Sequence, residues 1–173
     1  LDAYLVENVR PDSPSWDKEN VTYLFYSAAR RAPDMVNPIL LQMIRNGELR
    51  PAGDQSTKNY NVEVAAASIR GNVREEDLPE LVDIMARTDA VRAELTSYSL
   101  LDVQAKPLEL LLVEAVGNCS DPAMKNKIID LIRMKASVDI IPEFLVRTQV
   151  EHGVMRLKCL LTMAGIVDCW KRE

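Results

Sequence analysis

Side chains suited to acid–base or nucleophilic chemistry are scarce in this sequence. His152 is the single histidine, and histidine is the residue that most often serves as a general base near neutral pH. It precedes a glycine where we expect a helix to begin, so an exposed or capping role is favoured over catalysis. The three cysteines, Cys119, Cys159 and Cys169, have no CxxC spacing, which predicts neither a disulfide framework nor a zinc site. Cys119, in a turn before Asp121, is expected to be the most exposed thiol, but no histidine accompanies it.

A basic edge is the first candidate binding site. Arg30 and Arg31 end one predicted helix, and Arg70 and Arg74 flank a Gly-Asn turn. If neighbouring helices stack in register, Arg30, Arg31 and Arg70 project along one edge. Cations at a helix C-terminus are also favoured by the helix dipole, so these arginines have a purely structural interpretation as well.

An acidic cluster, Glu75-Glu76-Asp77, follows the basic edge directly. As a solvated turn it favours the N-terminus of the next helix, and as a binding surface it would attract a basic peptide. No catalytic residue, metal site or cofactor is predicted, because the sequence also lacks the glycine-rich loops that hold phosphates. The predicted partner-binding residues of the two clusters are Arg30, Arg31, Arg70, Arg74, Glu75 and Glu76.

The overall charge argues against nucleic acid as the main partner. The formal net charge is −5 at pH 7, whereas a protein that follows a phosphate backbone needs a basic surface. No aromatic residues are interleaved with the arginines to stack on bases. We therefore expect a protein or peptide partner, with nucleic acid disfavoured. We expect no membrane span, because the apolar runs are too short.

The elements that position these residues are predicted to be helices throughout. Aromatic residues make up 5% of the chain and there are 6 glycines, which is low for a β-sandwich or a Rossmann-type sheet. Leu78, Leu81, Val82 and Met85 lie at i, i+3, i+4 and i+7, which is the apolar stripe of a helix. The predicted helices lie near 2–9, 16–31, 35–46, 61–70, 77–87, 90–102, 106–116, 121–135, 138–149 and 153–170, with a polar loop over 48–61.

Capping residues mark several helix ends. Asp77 with Glu80 resembles a capping box, and Asp121 with Pro122 places proline at the first position of a helix, where its missing N–H costs nothing. Glycines that follow helical runs are expected to take the left-handed conformation. Those glycines are Gly47, Gly71 and Gly117.

The sequence also contains an internal repeat. The segments LLQMI, LVDIM and IIDLI begin at 40, 81 and 128, which are 41 and 47 residues apart. A second pair of matching segments, IRGN at 69–72 and AVGN at 115–118, has a similar separation. A period of this length is typical of helical repeat proteins.

These features resemble HEAT and armadillo repeats. The segment GNCSDP at 117–122 is similar to the turn between HEAT units, and DAVR at 89–92 is similar to the start of a HEAT second helix. The resemblance implies an all-α fold, a right-handed α-α superhelix of about three to four units with an extended concave face. We expect residues 1–173 to form one helical-repeat domain, excised from a larger protein because no initiator Met is present.

The expected function follows from this fold and from the lack of a catalytic set. We expect a scaffold, not an enzyme, that binds a partner protein or peptide within a larger assembly. Two alternatives stay open: a nucleic-acid-binding repeat that uses the basic edge, and a helical module that handles a lipid or cofactor. Reduced cysteines favour the cytoplasm or nucleus, although a secreted origin stays open, and the oligomeric state is not predicted.

Overall fold

A computed structural model of the chain describes residues 18–47 and 60–172. Every regular element in these two ranges is helical, as predicted, and two short 3₁₀ turns, Glu75–Asp77 and Val138–Ile140, precede α-helices. The nine α-helices of the described ranges are α1 (Lys18–Arg31), α2 (Pro33–Asn46), α3 (Tyr60–Ile69), α4 (Leu78–Arg87), α5 (Ala90–Leu100), α6 (Lys106–Asn118), α7 (Pro122–Lys135), α8 (Ile141–Arg147) and α9 (Gly153–Trp170).

The helices form two rows that alternate along the chain. The first row contains α1, α3, α5, α7 and α9, and the second contains α2, α4, α6 and α8, with each helix packed against the next in its own row. The pairs α2–α3, α4–α5 and α6–α7 connect the two rows. Each helix has an apolar stripe that it cannot bury alone, so the stripes of both rows meet in one continuous core.

The predicted apolar stripes supply this core. In α4, Leu78, Leu81, Val82 and Met85 are all buried, as their spacing predicts. The largest side chains that are fully buried come from both rows and reach from α2 to α8. They include Leu40, Ile44, Ile69, Leu81, Leu100, Leu112, Ile128 and Phe144.

Hydrogen bonds within the first row repeat from one helix to the next. Ser99 Oγ of α5 donates to the Ala66 carbonyl of α3 over 2.9 Å, and Lys158 Nζ of α9 donates to the Asn126 carbonyl of α7 over 3.1 Å. These partners are 33 and 32 residues apart in sequence. Equivalent positions on successive helices of one row are therefore separated in sequence by about the length of one helix pair.

The matched sequence segments do not all occupy equivalent places in these rows. The segments at 40–44 and 81–85 lie on α2 and α4 of the second row, but the segment at 128–132 lies on α7 of the first row. Likewise, IRGN follows α3 of the first row and AVGN ends α6 of the second. The similarity of these segments reflects the shared apolar pattern of packed helices more than a shared position.

Aspartates begin several helices, although not all the predicted ones. Asp121 is confirmed as the N-cap of α7, since its carboxylate accepts from the amides of Ala123 and Met124 over 2.7 and 3.0 Å. Asp89 does the same for α5 and was not predicted. The predicted cap at Asp77 is wrong, because its side chain accepts no hydrogen bond from the amides of α4 and instead accepts from the Arg74 amide, at the start of the preceding 3₁₀ turn, over 3.0 Å.

The glycine prediction is confirmed once and is wrong twice. Gly71 has φ 76°, the left-handed conformation that favours glycine. Gly117 lies inside α6, and Gly47 has φ −59°. Position 47 instead needs glycine because the site is too crowded for a side chain: a Cβ there would lie 2.5 Å from the Met43 carbonyl oxygen and 2.7 Å from Val62 Cγ2.

The predicted helix boundaries are close to the observed ones. The main difference is the predicted helix over 138–149, which consists of the 3₁₀ turn followed by the short α8. The predicted helix over 2–9 lies outside the described residues, as does the predicted loop except for its last two residues, which belong to α3. None of the helices in the described ranges combines the length and the apolar character needed to span a bilayer.

Candidate functional site: a charged edge and an apolar end face

The predicted partner-binding residues lie at the ends and turns of the first helices, a region we call the charged edge. Arg30 and Arg31 are exposed at the end of α1. Arg70 follows α3, and Arg74 precedes the exposed pair Glu75 and Glu76 in the turn that leads into α4. Thus four of the six residues share one turn, between Ile69 and Leu78.

Arg70 is neutralised by an acidic residue of the next turn. Its Nε donates to Asp102 Oδ2 over 2.7 Å, which joins the α3–α4 turn to the α5–α6 turn. This hydrogen bond lowers the pKa of Asp102 and raises that of Arg70. Both side chains are exposed, so the pair is screened by solvent and contributes little to stability.

Arg74 has a structural role that the sequence did not reveal. Its guanidinium donates to both carboxylate oxygens of Asp77, with Nη2–Oδ1 at 3.0 Å and Nε–Oδ2 at 3.2 Å, and it also contacts Asp34 of α2. Asp77 is 3% exposed and accepts a further hydrogen bond of 2.6 Å from Asn37 Nδ2. Burial raises the pKa of Asp77, but the hydrogen bonds from Arg74 and Asn37 outweigh it, so the pKa is lowered overall.

The buried amide of Asn37 completes this network. Asn37 lies in the middle of α2 and is fully buried, and its Nδ2 also donates to the Asn72 carbonyl over 2.9 Å. The network of Asn37, Arg74 and Asp77, which we call the polar clip, therefore fastens the α3–α4 turn onto α2. Asn37 and Asp77 are buried in this network, while the side chain of Arg74 stays 22% exposed at its surface.

A cleft of about 270 Å³ lies beside the polar clip, between the α3–α4 and α5–α6 turns. Its wall combines the charged groups of Arg74, Glu75 and Asp102 with apolar side chains and backbone. Such a wall suits polar contacts with a chain segment and contains no nucleophile beside a base. The lining residues are Gly71, Val73, Arg74, Glu75, Leu78, Asp102, Val103, Gln104 and Ala105.

The thiols and the histidine are not brought together. Cys119, expected to be the most exposed thiol, is buried, and its Sγ lies 3.5 Å from the Ala86 carbonyl oxygen, so that expectation is wrong. Burial raises the pKa of Cys159, which makes it a poor nucleophile, and Cys169 is exposed. His152 is exposed before the first residue of α9. Within 18–47 and 60–172, no three His, Cys, Asp or Glu residues are placed to hold a metal ion.

A second surface is apolar and lies at the opposite end of the molecule. Because α8 and α9 are the last described helices of their rows, their faces away from α6 and α7 have no described helix packed on them. On α9, Val154 is 84%, Leu157 56% and Leu161 64% exposed, which is unusual for aliphatic side chains. We call this surface the end face. It comprises Leu145, Val146, Val150, Val154, Leu157, Leu160, Leu161 and Trp170.

The sequence contains a signal for the end face that a single apolar stripe does not capture. Helix α9 is apolar on both sides: Cys159, Thr162, Met163 and Ile166 are buried, and the leucines lie opposite them. A helix that is apolar all round is normally covered on all sides. Elsewhere in the described ranges the exposed large apolar residues are fewer on each helix, with two on α5 and one each on α1, α2, α6 and α7, such as Leu110 on α6.

Comparison with known proteins identifies no relative. No family model, no curated protein and no solved structure matches the chain. Function is therefore inferred from the geometry of the two surfaces.

Proposed function

We propose that this chain is a helical-repeat module of HEAT or armadillo type that binds a partner protein through its end face. The single observation that carries the proposal is the concentration of exposed aliphatic and aromatic side chains on α8, α9 and the turn between them. These eight side chains are between 46% and 84% exposed. Monomeric proteins rarely expose apolar patches of more than a few hundred Å².

The chemistry of the end face favours a protein over a lipid surface. Asp168 ends the stripe on α9, and a folded partner can place a hydrogen-bond donor beside this carboxylate, whereas a hydrocarbon surface would leave it unpaired. The opposite side of α9 packs into the core through Met163 and Ile166, which fixes the position of the exposed aliphatic side chains before a partner binds. Rigid apolar faces of this kind lose little conformational entropy on association with another folded surface.

The other two functions receive less support. Nucleic-acid binding along the basic edge has less support because Arg70 and Arg74 already pair with carboxylates, so that Arg30 and Arg31 are the exposed cations of that edge outside these two pairs. A lipid- or cofactor-handling module needs an apolar cavity, and the residues of α6 that would line it fill the core. Those buried residues are Leu108, Leu112, Val113 and Val116.

Site-specific photocrosslinking tests the proposal. A photoreactive amino acid at Leu161 of the end face is expected to capture a protein partner, whereas the same amino acid at Leu110 is not. Both leucines are exposed, at 64% and 52%, so accessibility is matched. Equal capture at the two positions, or capture of lipid only, would overturn the proposal. An electrophoretic titration with RNA and DNA at low salt is expected to show no binding.

A further inference from the structure

We infer that the partner bound at the end face is a second copy of this chain, docked antiparallel along α9. The inference rests on the proposed function and goes beyond it by naming the occupant. The exposed stripe of α9 runs Val154, Leu157, Leu161, Ala164 and Asp168, which are spaced by three and four residues in alternation. This is the a/d spacing with which one helix packs along another, and all five side chains are exposed.

The amount of exposed surface fits a twofold dimer. An isologous interface uses the same patch on both copies, so each copy must supply its half from one surface. A stable interface of standard size buries about 800 Å² on each partner, so the stripe of α9 needs the neighbouring exposed residues Leu145, Val146 and Val150 to contribute to the same interface. The single exposed leucine on α6, Leu110, offers far less.

The order of residue sizes along α9 selects the antiparallel arrangement. The stripe begins with large side chains and ends with small or charged ones. In an antiparallel pair, Leu157 of one copy lies opposite Leu161 of the other, and Val154 lies opposite Ala164. In a parallel pair, Ala164 would face Ala164 and leave a gap, and Asp168 would face Asp168 with like charges opposed.

Charge complementarity supports the same arrangement. The antiparallel pairing brings Asp168 of one copy to the beginning of α9 in the other. That helix end has no side-chain cap, because the residue before it, His152, makes no capping hydrogen bond, whereas Asp89 and Asp121 cap α5 and α7. A carboxylate beside the free amides of a helix N-terminus is stabilised by the helix dipole.

The oligomeric state tests the inference directly. Sedimentation equilibrium or light scattering from about 1 µM to about 100 µM is expected to show a monomer–dimer equilibrium in the wild-type chain. The double substitution L157E/L161E is expected to raise the dissociation constant by at least about tenfold, and the matched control L110E to leave it unchanged. All three leucines are exposed, so the variants retain the fold, which circular dichroism verifies.

Disulfide trapping tests the orientation. In a C169S background, which removes the exposed native thiol, two differently tagged chains carrying L157C or L161C are mixed and oxidised. The antiparallel pairing predicts disulfides between chains that carry different tags, because position 157 of one chain lies opposite position 161 of the other. A parallel pairing predicts disulfides between chains that carry the same tag.

The outcomes separate this inference from the proposed function. A wild-type chain that stays monomeric over the whole range, or that dimerises equally well with L157E/L161E, overturns the second copy as occupant. If such a monomer still captures a different protein from Leu161, the proposed function stands and the inference fails. Crosslinks within each tag overturn the antiparallel arrangement.

Discussion

The charged edge and the end face differ in whether their side chains find partners within the same chain. At the charged edge, Arg70 pairs with Asp102 and Arg74 pairs with Asp77, so two of the cations that suggested a binding site already have acidic partners within the chain. At the end face, Leu157 and Leu161 contact no described helix of either row on their outer side. The comparison explains why we propose the end face as the binding surface: its apolar side chains lack a covering helix among the described residues, whereas part of the charge at the edge is already paired.

The largest expected effect concerns the polar clip. The substitution D77A leaves the Arg74 guanidinium and the Asn37 amide without their shared acceptor in a buried site. We expect the free energy of unfolding to fall by about 3 kcal/mol, as is typical when one partner of a buried ion pair is removed. Urea denaturation measures this value, and E76A, in the same turn but exposed, is expected to cost less than about 0.5 kcal/mol. Equal losses would show that Asp77 is not a structural residue.

A core substitution sharpens the contrast with the end face. Leu112 of α6 is fully buried, and L112A is expected to cost about 3 kcal/mol because it leaves a cavity between the rows. In contrast, L161A removes an exposed side chain and is expected to change the unfolding free energy of the monomer by less than about 0.5 kcal/mol. Denaturation at a concentration below that of self-association compares the two. A large loss in L161A would mean that α9 needs this face for its own folding.

Acid titration gives a smaller effect of predictable sign. Because the pKa of folded Asp77 is depressed below its ordinary value of 3.8, the unfolded chain takes up a proton first as the pH falls. Stability from this group is therefore present above about pH 3.8 and is lost as the pH falls through the lower folded pKa. Unfolding of wild type and D77N between neutral and acidic pH is expected to show a weaker pH dependence in D77N. An identical slope would exclude Asp77 as a source of acid sensitivity.

The smallest expected effect concerns Arg70 and Asp102. Both are exposed, so we expect R70A to leave the midpoint of urea denaturation unchanged within error, in the presence or absence of added salt. If R70A instead weakens binding to a partner, the charged edge regains its predicted role beside the end face. A thermal denaturation series together with the binding assay distinguishes the two results.

The sequence predicted the local features of the fold closely. The apolar stripe of α4, the cap at Asp121 and the turn at Gly71 depend on residues a few positions apart, and all three are confirmed. The prediction failed where a residue contacts distant parts of the chain. Asp77 has the sequence context of a cap, but its carboxylate is bound by Arg74, three residues earlier, and by Asn37, which lies 40 residues earlier.

The candidate site was predicted less well, for a related reason. Charged residues are easy to find in a sequence, but their availability depends on distant neighbours that the sequence does not reveal, as the contacts of Arg74 with Asp34 and of Arg70 with Asp102 show. An exposed apolar face is harder to find, because the sequence does not distinguish a leucine that another helix buries from a leucine that stays exposed. The signal at α9 was its apolar character on both sides, which periodicity alone does not separate from a core helix.

The amino-acid order alone therefore determined where this chain is helical and which residues begin and end several of the helices, since hydrogen bonds and periodicity over three to four residues decide those features. Only the tertiary structure decided that Met163 is buried while Leu161 is exposed. It also decided that the guanidinium of Arg74 is engaged in ion pairs while Arg30 is exposed. The physical reason is that burial depends on contacts between helices that are distant in sequence, and those contacts exist only once the two rows have packed.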